Sequence, residues 1–221
     1  MKKLVCILMG GLLLWGVSTS SAMAATIGLF EYAFNLDGTV VLAGASINTA
    51  GFDSTTGLGA ITISIAGTGN HWVLGFFDHE IDEAINTFFN EAGSPTGVPV
   101  AGQSWEIDEP GYVFGDIYDN FIGNTLDNAV GTSDPEDVSM GMGWNFFLAD
   151  GETATITFVL SEIMPTSGFY LTHHDQDSQA SIYFSSAIST TGNPVPEPTS
   201  LLLFGSGIAF CARWIRRKSK S

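Results

Sequence analysis

The chain has 221 residues, 45% of them apolar, with 23 Asp+Glu against 7 Lys+Arg and a formal net charge of -16. An acidic balance of this size leaves no basic face for phosphate and excludes nucleic acid as a partner. The apolar fraction excludes a wholly disordered chain, and the length suits one main domain.

The basic residues are confined to the two ends: Lys2 and Lys3 at the start, then Arg213, Arg216, Arg217, Lys218 and Lys220. Between residues 4 and 212 there is no Lys or Arg, and all 23 acids fall inside that interval, from Glu31 to Glu197. Inside it, only His or a new amino terminus can pair with a carboxylate. The others must be hydrated, hydrogen-bonded, placed at helix starts or bound to cations.

In chain order, residues 1–24 read as a secretory signal peptide. Lys2 and Lys3 supply the positive start, 4–17 the apolar stretch, and Ala22-Met23-Ala24 a small-x-small site with cleavage expected before Ala25. The Sec translocon and a signal peptidase are then the expected first partners. Cys6 and Cys211 lie in the terminal segments, so the exported domain, 25–193, can have neither a disulfide nor Cys catalysis.

The domain alternates apolar and polar residues at 60–66, with Ile61, Ile63 and Ile65 on one face, and again at 152–160. Further strands are expected at 27–34, 71–77, 111–115, 138–148, 169–173 and 181–185, separated by Gly, Asn, Asp, Pro and Ser clusters. The pattern predicts a mainly β protein: an antiparallel β-sandwich, jelly-roll-like, with one short helix. The helix is expected over 79–91, where Ile81, Ile85, Phe88 and Phe89 share a helical face, Asp78 is a plausible N-cap and Gly93 a stop.

No catalytic constellation stands out, and the expectation is a non-enzyme. His79-Glu80-Ile81-Asp82-Glu83 lacks the second His of the zinc-protease pattern, and no G-x-S-x-G occurs. The 23 acids always allow a glycosidase-like pair to be imagined, which makes that reading uninformative by itself. Oxygen-rich patches are candidate Ca²⁺ ligands: Asp175 with Asp177 after a strand end, Asp116 and Asp119 with Asn120, and Asp134, Glu136 and Asp137. The alternative for the first of these is a solvated hairpin turn. Trp72, Trp105 and Trp144 with Tyr112 and Tyr118 offer a sugar-stacking platform, against the plainer expectation that they are core or edge residues.

Residues 194–221 have three parts. Pro194-Val195-Pro196-Glu197-Pro198 is stiff and extended. Residues 201–215 are apolar with breaks at Gly205, Ser206 and Gly207, and the basic tail follows. This predicts a transmembrane helix with the tail in the cytoplasm and the domain outside. Counted from Thr199 to Ile215 it reaches about 25 Å, short of the usual ~30 Å core, a gap that snorkelling of Arg213 and Arg216 or local thinning closes.

Val195-Pro196-Glu197-Pro198, followed at once by Thr199-Ser200-Leu201-Leu202-Leu203-Phe204-Gly205 and a basic end, resembles a PEP-CTERM sorting signal. The same kind of segment is also labelled an ice-binding-protein C-terminal domain, a name that describes the tail and not the domain it follows. The resemblance implies processing by a membrane-embedded exosortase in a Gram-negative, exopolysaccharide-making host, with Glu197 read by that enzyme. It also implies passage through the inner membrane with transient anchoring, glycosylation, and delivery to the cell surface, biofilm or extracellular matrix. The expected role is structural or adhesive; the alternatives are a secreted polysaccharide-active enzyme or a Ca²⁺-dependent carbohydrate-binding module.

Overall fold

The structure is a computed structural model and describes residues 25–82, 88–111, 113–131 and 135–192. Eleven strands run in chain order: β1 (Ile27–Leu36), β2 (Thr39–Val41), β3 (Ile47–Asp53), β4 (Leu58–Ala66), β5 (Gly69–Ile81), β6 (Glu91–Thr96), β7 (Gln103–Asp108), β8 (Ser139–Leu148), β9 (Glu152–Ser161), β10 (Tyr170–Asp175) and β11 (Ser181–Gly192). A helix, α1 (Ile117–Gly123), lies between β7 and β8. The strands form two sheets, ordered β2-β1-β5-β8-β7 and β3-β4-β9-β11-β10-β6, and every strand pairing is antiparallel. The protein is a sandwich of two antiparallel sheets.

Period-two alternation builds the core. Ala154, Ile156, Phe158 and Leu160 are buried along β9, while Thr153, Thr155 and Thr157 on its other face are only partly covered. Phe34 and Phe77 of the first sheet meet Phe158 and Phe184 of the second: Phe77–Phe184 centroids are 5.1 Å apart in a T-shape, and Phe34–Phe158 6.3 Å, stacked. Such pairs add roughly 0.5–1.5 kcal/mol each beyond the area they bury. Where β6 crosses β7, Gly93 has no side chain to spare: a Cβ there would lie 2.2 Å from Ile107 Cγ2.

The first sheet is covered on its outer face as well. Residues 109–111 and 113–131 leave β7, form α1 and return, and Ile117, Phe121 and Leu126 bury against Ala33, Leu74 and Phe76 as a second, smaller core. Asn35 fastens this roof: its Nδ2 donates to the carbonyls of Phe121 (2.8 Å) and Ile122 (2.9 Å), groups that a helix end leaves without partners. Asn124, left-handed at φ 55, closes the helix.

The helix expected over 79–91 is therefore a correction. Asp78 to Ile81 belong to β5, Phe88–Asn90 is a single 3-10 turn, and Glu91 opens β6; residues 83–87 lie outside the described residues. The strand expected at 71–77 is β5, and it runs on to Ile81: Asp78 pairs with Ser139 and Ile81 with Ile27, so the sheet ladder rather than a helix takes up this backbone. The strand expected at 111–115 is also absent: Gly111, Val113 and Phe114 sit in bends leading into α1, and residue 112 is outside the described residues. The signal peptide, the sorting segment and the transmembrane helix expected at 201–215 fall outside them too. Among the described residues no helix is long and apolar enough to cross a membrane.

Candidate acidic centre

On the outer face of the first sheet, register stacks polar residues of neighbouring strands. Ser139 of β8 lies opposite both Asp78 of β5 and Asp108 of β7, and Gly141 opposite Phe76 and Glu106. Ser139 Oγ donates to Asp78 Oδ1 at 2.8 Å. The roof adds Asp116, whose backbone N donates to Asp108 Oδ2 at 2.9 Å. Glu106, Asp108 and Asp116 thereby each present an oxygen within 4.8 Å of the others. Glu106 (2% exposed) and Asp108 (8%) are buried, whereas Asp116 faces solvent.

Burial controls the charges. Glu106 accepts from Asn120 Nδ2 (3.0 Å) and from the backbone N of Asp127 (3.2 Å), yet desolvation still pushes it up to about 7. Desolvation first, and then the nearby Asp137, push Asp78 up to about 8. A divalent cation would favour the charged forms of Glu106 and Asp108, and these two with Asp116 are the oxygen donors that could hold one.

A second polar group lies inside the sandwich at one end. His173 of β10 and Glu91 of β6 are both buried, with Nε2 to Oε2 at 2.6 Å. Glu91 Oε1 also accepts from the Ile81 backbone N at 3.1 Å. Burial pushes Glu91 up to about 8 and His173 down to about 4. Both shifts favour the uncharged forms, so the pair shares one titrating proton between Oε2 and Nε2 across neutral pH. His79, wholly buried with Nε2 3.2 Å from the Gly57 carbonyl, is pushed down to about 3, mainly by desolvation. Nδ1 of both histidines and Oδ1 of Asp137 lack hydrogen-bond partners among the described residues.

Of the residues singled out in the sequence as calcium ligands, Asp116 joins an acidic cluster. Asp119 does not; it is exposed in the first turn of α1. Asp175 and Asp177 come together through Asn90 Nδ2, at 3.2 and 2.8 Å. Asp175 also accepts from the Asp177 backbone N (2.7 Å) and Ser178 Oγ (2.8 Å), so it works as the knot of the β10–β11 turn. Glu136 is tied to Glu91 through paired backbone hydrogen bonds, and residue 134 is outside the described residues.

Glu106 and Asp108 were not singled out as ligands. The signal was present in Trp105-Glu106-Ile107-Asp108, whose alternation places both acids on one strand face once β7 is recognised. The aromatic platform does not form among the described residues. Trp105 and Trp144 are core residues, Trp144 Nε1 donating to Ser186 Oγ at 2.9 Å, and Tyr118 packs edge-on to Phe76 at 5.3 Å. His79 and Glu80 lie on a strand, so they project to opposite faces and the helical zinc-protease geometry is absent.

Compared with curated proteins and with solved structures, the chain matches none. Residues 194–218 match the PEP-CTERM protein-sorting motif, about a ninth of the chain and the same segment that the Pro-Glu-Pro pattern marks. The chain therefore carries the sorting signal of exosortase substrates, which supports an exported protein that passes the membrane and is held there transiently through its C-terminus.

Proposed function

We propose that the domain is a non-enzymatic structural or adhesive protein of the cell surface or extracellular matrix, in an exopolysaccharide or biofilm setting. The leader at 1–24 takes it through the Sec translocon, signal peptidase releases Ala25, and exosortase acts at Val195-Pro196-Glu197-Pro198. The observation that carries this reading is the sorting motif at 194–218 following a folded sandwich from which Lys and Arg are absent. A surface of hydrated carboxylates keeps such a protein soluble and leaves it open to bridging by divalent cations.

The test is Glu197→Ala. Export is expected to continue while the unprocessed chain accumulates in the inner membrane; normal processing of the variant would count against the assignment. Adhesion predicts retention of the processed protein on cells or polymer without turnover. A polysaccharide-active enzyme would instead lose turnover on a single Asp→Asn change while keeping its fold. A carbohydrate-binding module would show quenching of Trp fluorescence by oligosaccharide. A bound Ca²⁺ is the second reading, favoured by the convergence of Glu106, Asp108 and Asp116 with no Lys or Arg in the domain to neutralise them.

A further inference from the structure

The 23 acids are not spread evenly over this molecule. On the outer face of the second sheet, β4 presents Ala60, Thr62, Ser64 and Ala66; β9 presents Thr153, Thr155, Thr157 and Val159. Alternate residues of β11 from Ser185 to Thr191 continue the array. Register aligns them into ladders, with Thr62 opposite Thr157 and Ser64 opposite Thr155, and Thr155 in turn opposite Ser189 and Thr153 opposite Thr191. β4 and β11 contain no acid, and the single acid of β9, Glu152, is turned into the loop to accept from the Ala149 backbone N at 2.8 Å.

We propose that this uncharged Thr/Ser/Ala face is a self-association surface, and that its occupant is a second copy of this chain. Two copies at -16 each repel wherever carboxylates face one another, and this face lets them approach without opposing like charges. Strands about 4.8 Å apart and roughly 30 Å long give the three central strands ~450 Å²; the flanking β3, β10 and β6, whose one exposed acid is Asp53 at the end of β3, bring the face to roughly 700 Å², just under the ~800 Å² per partner of a standard interface. Pairing through sheet edges is blocked by other means. β2 has three residues, β3 is bulged between Asn48 and Gly51, and β6 carries Pro95. The outer edge of β7 is covered by the hydrogen bonds of residues 128–131. The face holds one aromatic pair at its end, Tyr183 of β11 edge-on to Tyr170 of β10 at 5.8 Å, while the Thr/Ser ladders hold none and are poorly suited to stacking on sugars; without exposed large apolar clusters along those ladders the face is poorly suited to lipid.

The proposal rests on the reading of the domain as a structural protein and gives it a mode of assembly. The test is sedimentation equilibrium of the full chain in mild detergent, for wild type, Thr155→Glu, Thr157→Glu and the loop control Ile163→Glu (Ile163 is 80% exposed). Near-UV circular dichroism confirms that each variant is folded. Wild type is expected to dimerise, more tightly by roughly tenfold when salt rises from about 20 mM to about 300 mM, because screening removes the repulsion around the face. Either face variant is expected to weaken association at least roughly tenfold, and the control to leave it unchanged. A wild type that stays monomeric at the higher salt, or face variants that dimerise like wild type, would overturn the proposal. Processing of Glu197→Ala is read independently, so failure of the association surface and failure of the sorting assignment are distinguishable.

Discussion

Replacing Asp78 by Asn should flatten the pH dependence of stability. Asp78 is buried on the outer face of the first sheet, and its carboxyl is pushed from its ordinary 3.8 up to about 8. In the unfolded chain it loses its proton near pH 4, whereas in the fold it keeps it to about pH 8. Between those values the folded state holds one more proton, so stability falls as pH rises, by about 1.4 kcal/mol per unit, and the loss over the whole window is on the order of 5 kcal/mol. Asp137, raised to about 6, and Glu106, raised to about 7, act in the same direction with less weight because their shifts are smaller. His79 acts in the opposite direction. Lowered to about 3 from 6.5, it contributes stability that is lost as pH falls from 6.5 toward 3. The Glu91–His173 pair holds one proton, as its two separated groups do near pH 5.5, and adds a loss only above about pH 6.5. Together these shifts make stability fall as pH rises above about 5. Asn keeps an acceptor for Ser139 Oγ and cannot ionise. Denaturant unfolding with chelator present, at about pH 4.5, 6 and 7.5, should show Asp78→Asn losing about 1.4 kcal/mol less per pH unit than wild type. Equal slopes, or a wild type that gains stability from pH 5 to 8, would refute the reasoning.

Calcium should raise the melting temperature of wild type at pH 7.5 and leave Asp108→Asn unmoved; a wild-type melting curve indifferent to both calcium and chelator would remove the ion. Phe121→Ala empties the small core beneath α1 and is expected to cost about 3 kcal/mol in denaturant unfolding, and a loss under ~1 kcal/mol would mean that the roof collapses onto the gap.

The sandwich was legible where one face of a strand meets water. β4 and β9 alternate cleanly because their outer residues are Thr and Ser and their inner ones Ile, Phe and Leu. Legibility failed where that condition fails. β5 is legible over 71–77, but its last residues read as a helix start because acids crowd 78–83 and Ile81 is spaced with Ile85, Phe88 and Phe89; α1 is only seven residues long and shows two buried side chains, Ile117 and Phe121, too few for a period. β3 is broken by its bulge, and β6 mixes Pro and Gly with small residues. The acidic centre was half legible. Asp116 stood out in a run of oxygens, but its companions Glu106 and Asp108 arrive from β7 through register with β8, which no local spacing encodes. Asp175 and Asp177 were found as a pair, with the turn reading rather than the ligand reading fitting their hydrogen bonds.

The roof over the first sheet has its own small core, separate from the one between the sheets, and around α1 it hangs on a few side-chain hydrogen bonds: those of Asn35 to the end of the helix, and those of Glu106 and Asp108 to Asp116, Asn120 and Asp127. Its free energy of opening is thus set apart from that of the whole. Excursions that lift α1 and its flanks as far as Asp127 would wet Glu106 and Asp108 together while the strands beneath stay paired, so protons and ions would reach these buried acids without the protein unfolding.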